Sequence, residues 1–155
     1  MPSLLAVDLG VKTGLALFNG EGRMVWCRSH NFGTIQRLRR GVRRILGDIS
    51  DLAILVLEGG GTIAEVWERE ARRRSLTLYR ITAEDWRTRL LYPREQRNGP
   101  GAKGHAGHMA RRVIAWSERT QPATLRHDAA EAVLTGLWGV LEAGWMKELP
   151  AAVRQ

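Results

Sequence analysis

The chain has 155 residues, 44% of them hydrophobic, with one cysteine and 24 Lys and Arg against 16 Asp and Glu, for a formal net charge of +8. This length supports one domain with its own core, a lone Cys27 excludes an intrachain disulfide or a cysteine-based zinc site, and no apolar run approaches the roughly 20 residues that cross a bilayer. Only Lys12, Lys103 and Lys147 are lysines, so the charge excess is arginine, whose forked guanidinium suits phosphate. The expected partner is therefore a nucleic acid rather than a membrane. Asp8 interrupts the only apolar stretch near the N-terminus, which argues against a secretory signal and makes the cytoplasm the expected compartment.

Leu4–Leu9 reads as a strand, Gly14–Phe18 as its hairpin partner, Asn19-Gly20 as a turn, and Arg23–Ser29 as a third strand. Thr34 opens a helical pattern in which Ile35, Leu38, Val42, Ile45, Leu46 and Ile49 form the apolar stripe. Arg37, Arg40, Arg43 and Arg44 lie largely off that stripe. The continuous apolar run Leu52–Leu57 reads as a buried central strand. Thr62-x-x-Glu65 reads as a capping box for a helix ending in Arg72-Arg73-Arg74, cations that suit a helix C-terminus. Leu76–Ile81 alternates as a further strand, and Thr82-x-x-Asp85 caps a short helix through Trp86 and Leu90.

From Tyr92 to Gly107 the sequence is rich in Pro, Gly and Arg, which predicts a long mobile loop. Ala106, Met109, Ala110, Val113 and Ile114 begin another helix. A last helix runs from about Leu125 to Ala143, with Gly144 near its C-cap. A three-stranded meander followed by alternating helices and strands predicts a single α/β domain over residues 1–155, with a mixed five-stranded sheet and helices on both faces.

Four carboxylates stand out against this pattern. Asp8 lies within the first strand, on the face that carries Leu4 and Ala6. Glu58 ends the central strand, at the kind of C-terminal end that lines a functional crevice. Asp128 and Glu131, three apart, project to one side of the last helix. A carboxylate in an apolar strand costs several kcal/mol unless something pairs with it, and a divalent metal held by oxygen ligands is one shared reason. Taken singly, Asp128-x-x-Glu131 also reads as a capping box and Glu58 as a strand end before a glycine turn. As a set in a strongly basic chain, they point to a metal-dependent nuclease, since such clusters hold paired ions roughly 3.5–4 Å apart for phosphodiester chemistry.

The motif D-L-G-x-K-T-G on the first hairpin, the strand-ending Glu58, the late D-A-A-E-A and the segment GPGAKGHAGHMARRVI at 99–114 resemble, in order, a RuvC-type Holliday junction resolvase of the RNase H-like superfamily. That resemblance implies an RNase H-like fold and paired nicks in four-way DNA junctions that leave 5′-phosphates, and the two-fold symmetry of such a junction, with one site per chain, predicts a homodimer. It also implies Asp8, Glu58, Asp128 and Glu131 as catalytic ligands of Mg²⁺, two ions per site, with Mn²⁺ able to substitute. Lys103 matches a lysine on the basic loop that leads into the penultimate helix of that family, where it would be catalytic. Glu131 stands where the family often has Asp. Gly59-Gly60-Gly61 stands where many relatives have an aromatic.

Arg94, Arg97, Lys103, Arg111 and Arg112 are the DNA-binding candidates around that segment. Two rival readings stay open: an RNase H-like nuclease acting on flap or RNA-containing substrates, and a non-catalytic basic nucleic-acid-binding module. Gly10 and Gly14 around Lys12-Thr13 lack Walker A spacing. His105, His108 and His127 could join Asp128 in a zinc site, but without cysteine His127 is better read as lying at the edge of the carboxylate site or in solvent. The helical tryptophans read as core or interface, with Trp67 as the one to watch for stacking.

Overall fold

Strict alternation along the first strand sets the layers of the molecule. The computed structural model describes residues 1–96 and 99–154, with the backbone alone for 99–103. Its elements are β1 (Ser3–Asp8), β2 (Lys12–Asn19), β3 (Met24–Asn31), α1 (Ile35–Asp48), β4 (Leu52–Glu58), α2 (Gly61–Arg73), β5 (Thr77–Ile81), α3 (Ala83–Leu90), α4 (Gly99–Trp116), α5 (His127–Glu142) and α6 (Ala151–Arg154), with a 3₁₀ turn at Pro93–Glu95. The sheet runs β3-β2-β1-β4-β5. β1–β2 and β2–β3 pair antiparallel, while β1–β4 and β4–β5 pair in parallel.

Leu4, Ala6, Phe18 and Val56 face a core built with Trp86, Ile114, Leu134 and Leu137 from α3, α4 and α5. Leu5, Val7, Leu15 and Leu57 face the opposite way, against Leu38, Val42 and Leu46 of α1 and Trp67 of α2. The sheet is therefore mixed, five-stranded and covered on both faces, as the hydropathy pattern predicts. Two helix starts follow local chemistry. The Thr34 side chain accepts from the Arg37 amide at 3.2 Å, and Thr82 with Asp85 forms a capping box ahead of α3.

Three expectations are corrected. α2 starts at Gly61, and its N-cap Gly60 makes no side-chain cap bond, so Thr62 and Glu65 form no capping box. Gly59 and Gly61 take φ of +119° and +79°, a region open to glycine, and this turns the chain out of β4 into the helix ahead of Thr62. α4 starts at Gly99 rather than near Ala106, so much of the expected loop is helix. Extending a nucleated helix adds one hydrogen bond per residue, and Pro100 falls in the first turn, where its missing N–H is tolerated. His105 Nδ1 lies 3.2 Å from Glu95 Oε2, tying α4 to the 3₁₀ turn. Trp67 is fully buried in its own chain and is not a stacking platform.

Candidate metal centre

β1 and β4 are adjacent parallel strands whose register sets Asp8 beside Glu58, and strand alternation turns both toward α5. Helix α5 can descend onto this face because the sequence omits side chains where the two meet. A Cβ at Gly14 would lie 1.9 Å from the Asp128 carbonyl oxygen; one at Gly136 would lie 2.1 Å from the Phe18 ring, and one at Gly139 2.7 Å from Val56. The helix thus delivers Glu131 to the ends of the two strands. One oxygen each from Asp8, Glu58 and Glu131 lies within 4.8 Å of the others, and Glu58 and Glu131 are each 8% exposed.

Crowding three buried acids has a measurable consequence. Burial, then the charges of Glu58 and Glu131, push the Asp8 carboxyl up to about 9. Burial also raises Glu58, against the lowering effects of its hydrogen bond with Asp8, the Trp86 indole and the Arg87 guanidinium. Without metal, this crowding favours a protonated Asp8. Trp86 Nε1 is buried and outside hydrogen-bonding geometry, so we read its effect on Glu58 as that of a nearby N–H dipole. Glu131 meets His127 Nε2 at 3.0 Å and Arg87 at 3.7 Å.

This arrangement fixes a pH dependence of stability. A carboxyl near 9 in the fold and near 4 in the unfolded chain takes up a proton on folding, so its penalty is absent below about pH 4 and grows as pH rises toward 9. Asp8→Asn removes that penalty. At pH 8 without metal the variant should melt at a higher temperature than wild type, and the gain should vanish near pH 4. Thermal melts of both proteins across that range check it. A constant offset at all pH values would contradict the uptake of a proton by Asp8 on folding.

Asp128 is not brought into the triad. Its Oδ1 accepts from the Ser29 hydroxyl and from the Ala129 amide, and α5 is capped at Arg126 without a side-chain bond, so no capping box forms there either. Among the described residues His105, His108 and His127 do not gather with a carboxylate as a metal-holding group. His127 instead sits against Glu131, at the edge of the carboxylate site. Arg94 is exposed, its guanidinium 5.2 Å from the centre of the Tyr92 ring. Arg97 and the Lys103 side chain lie outside the described residues. Arg111 donates to Gln121 and the Pro122 carbonyl, and Arg112 to the Val153 carbonyl, so both work within the fold. Ser29, Trp86 and Arg87 belong to the site but carry no motif. Only the capping box just ahead of Trp86 and Arg87 hints that this short helix is held firmly.

No family model and no curated protein matches this sequence. Solved structures do match it. T. thermophilus RuvC in complex with a Holliday junction substrate superposes with a TM-score of 0.66 over 93% of this chain and 96% of its own, at 14% identity. A Thermus thermophilus RuvC structure gives 0.65 over 91% and 94%, at 17% identity. The chain has the RuvC fold. Sheet order, strand directions and helix placement thus correspond to the RNase H-like α/β architecture expected from the sequence. RuvC and this chain share that architecture across nearly their full lengths, at an identity low enough that it speaks for the fold alone.

Proposed function

We propose that this protein is a divalent-metal-dependent endonuclease that resolves four-way DNA junctions by paired nicks. The observation that carries this reading is the convergence of Asp8, Glu58 and Glu131 at the ends of two parallel strands and a helix within a RuvC fold. The donor set fits a hard cation, since it is all carboxylate oxygen, largely buried, and paired among the described residues only with Arg87 and His127. Asp8, Glu58 and Glu131 would hold Mg²⁺, with Asp128 as the fourth ligand once its carboxylate leaves Ser29. Two bound ions would supply an activated water and charge stabilisation at the leaving oxygen.

The protein's own part is to hold these oxygens on rigid strands and to release the Asp8 proton as the site fills. His127 orients Glu131 through Nε2, while Arg87 steadies the same carboxylate. The test is cleavage of a four-way junction with and without Mg²⁺, beside a flap, an RNA–DNA hybrid and linear duplex. Metal-dependent symmetrical nicking of the junction supports the proposal. Preferential cutting of flap or hybrid would reassign the substrate, and no metal-stimulated cleavage would leave a basic binding module.

Two further outcomes belong to this reading. Lys103, on α4, would place its ammonium against the charge that develops on the phosphoryl oxygens. Lys103→Ala should then lower the single-turnover rate by about 10²-fold at saturating protein, whereas Arg94→Ala and Arg97→Ala should mainly weaken binding. An unchanged rate for Lys103→Ala would remove it from the chemistry. A four-way junction is two-fold symmetric and needs matched nicks, so one site per chain calls for a homodimer. Light scattering should give twice the 17.4 kDa chain mass. A monomer both free and on the junction would refute this.

A further inference from the structure

Arginine is neutralised on one side of the molecule and not on another. Arg72, Arg73 and Arg74 at the end of α2, with Arg80 of β5, reach Glu68 or Glu70 at 2.7–3.5 Å. On α1, Arg37, Arg39, Arg40, Arg43 and Arg44 are exposed and take part in no ion pair among the described residues. Arg37 and Arg40, Arg39 and Arg43, and Arg40 and Arg44 stand three or four residues apart, where like charges destabilise a helix. A general bias toward arginine would populate both helices, but it does not explain why, among the described residues, arginines pair with acids at the end of α2 and not along α1.

The unpaired charge faces a formed groove. Arg37, Arg40 and Arg44 line about 610 Å³ between α1 and the edge strand β3, together with Arg28, His30 and Asn31. Phe32 lies in its floor and is buried; α1 approaches it where Gly41 has no side chain, since a Cβ there would lie 2.2 Å from the ring. Arg28 is held 3.8 Å over the Trp26 ring, which restricts its guanidinium before any ligand arrives. The single acid in the lining is Asp48, at the end of α1. On the opposite face of β3, Ser29 reaches Asp128, so one strand borders both this groove and the metal centre.

We propose that the α1–β3 groove is a second nucleic-acid contact, which grips the sugar–phosphate backbone of a duplex arm through arginine–phosphate hydrogen bonds. It rests on the nucleic-acid reading above. Guanidinium forks match phosphate oxygens, and a row of them at helical spacing reads backbone without reading sequence.

The test compares Arg40→Gln/Arg44→Gln with a charge-matched control, Lys147→Gln/Arg154→Gln, in binding a long-armed four-way junction without metal over roughly 50 to 200 mM salt. The groove variant should lose about tenfold in affinity at moderate salt, and the slope of log K against log salt should fall by about 1 to 2, while the control changes little. Its thermal stability should match or exceed wild type, because it loses only like-charge repulsion. Equal losses in variant and control would reduce the effect to net charge and overturn the groove. An unchanged slope in the variant, with wild type binding normally, would overturn the groove alone. Wild type that binds no junction would overturn the function proposed above together with it.

Discussion

Asp8→Asn should abolish junction cleavage, by at least about 10³-fold in single-turnover rate, while binding the junction within about twofold of wild type. On the proposed reading the affinity would come from arginine–phosphate contacts, and the change removes an acid from a crowded buried set without touching them. Glu58→Gln should behave in the same way, since Glu58 completes the strand pair at the same register position. Asp128→Asn separates two roles. An Asn oxygen can still accept from Ser29 and the Ala129 amide, so the variant keeps the clasp seen here and loses only charge. A large drop in rate with weaker metal activation assigns Asp128 as a ligand, and a rate near wild type assigns it to the clasp. Cleavage by Asp8→Asn at a wild-type rate would end the metal-centre reading altogether.

Gly14→Ala should be the most disruptive methyl group added to any glycine among the described residues. Its Cβ would sit 1.9 Å from the Asp128 carbonyl oxygen and 2.3 Å from the carbonyl carbon, and these are backbone atoms that cannot rotate away. Helix α5 must lift off the hairpin, which loosens its packing on β1 and β2 and withdraws Glu131 from Asp8 and Glu58. A cost of about 3 kcal/mol or more follows from overpacking of this kind, roughly 6–12 °C in Tm. Loss of metal-induced stabilisation should accompany it. Gly104→Ala is the matched control: a Cβ there meets nothing within 4 Å, and alanine in a helix should add about 0.5–1 kcal/mol. Melts with and without Mg²⁺ distinguish the two, and a Gly14→Ala protein as stable as wild type would mean that the helix does not rest where this structure places it.

Features whose cause is local were legible in the sequence. Thr34 and Thr82 cap helices because their hydroxyls reach amides three residues on, and the Leu4–Asp8 alternation sorts Asp8 to the face of Ala6 whatever lies above it. The convergence of Asp8, Glu58 and Glu131 could be reasoned from strand ends and helix spacing, with the family resemblance supplying the order. What escaped depends on residues distant along the chain. Ser29 meets Asp128 across 99 positions, and Arg87 and Trp86 reach the acids only because α3 folds back beneath α5. Thr62-x-x-Glu65 carries a sound capping pattern that goes unused, because the glycine turn after Glu58 has already begun the helix. The start of α4 was hidden because Gly and Pro disfavour helix locally, and the apolar stripe from Ala106 onward outweighs them.

The close approach of Asp8, Glu58 and Glu131 has a consequence for the lifetime of the protein. A ligand that binds only the folded chain stabilises it by about 2.7 kcal/mol at a hundred times its dissociation constant, and here the ion would also relieve the repulsion that burdens the empty fold. Free divalent cation would then govern how often the chain opens to proteases as well as how fast it cuts. A drop in that free cation would shorten the survival of the folded protein, so that its abundance and the proposed cleavage would depend on one ion.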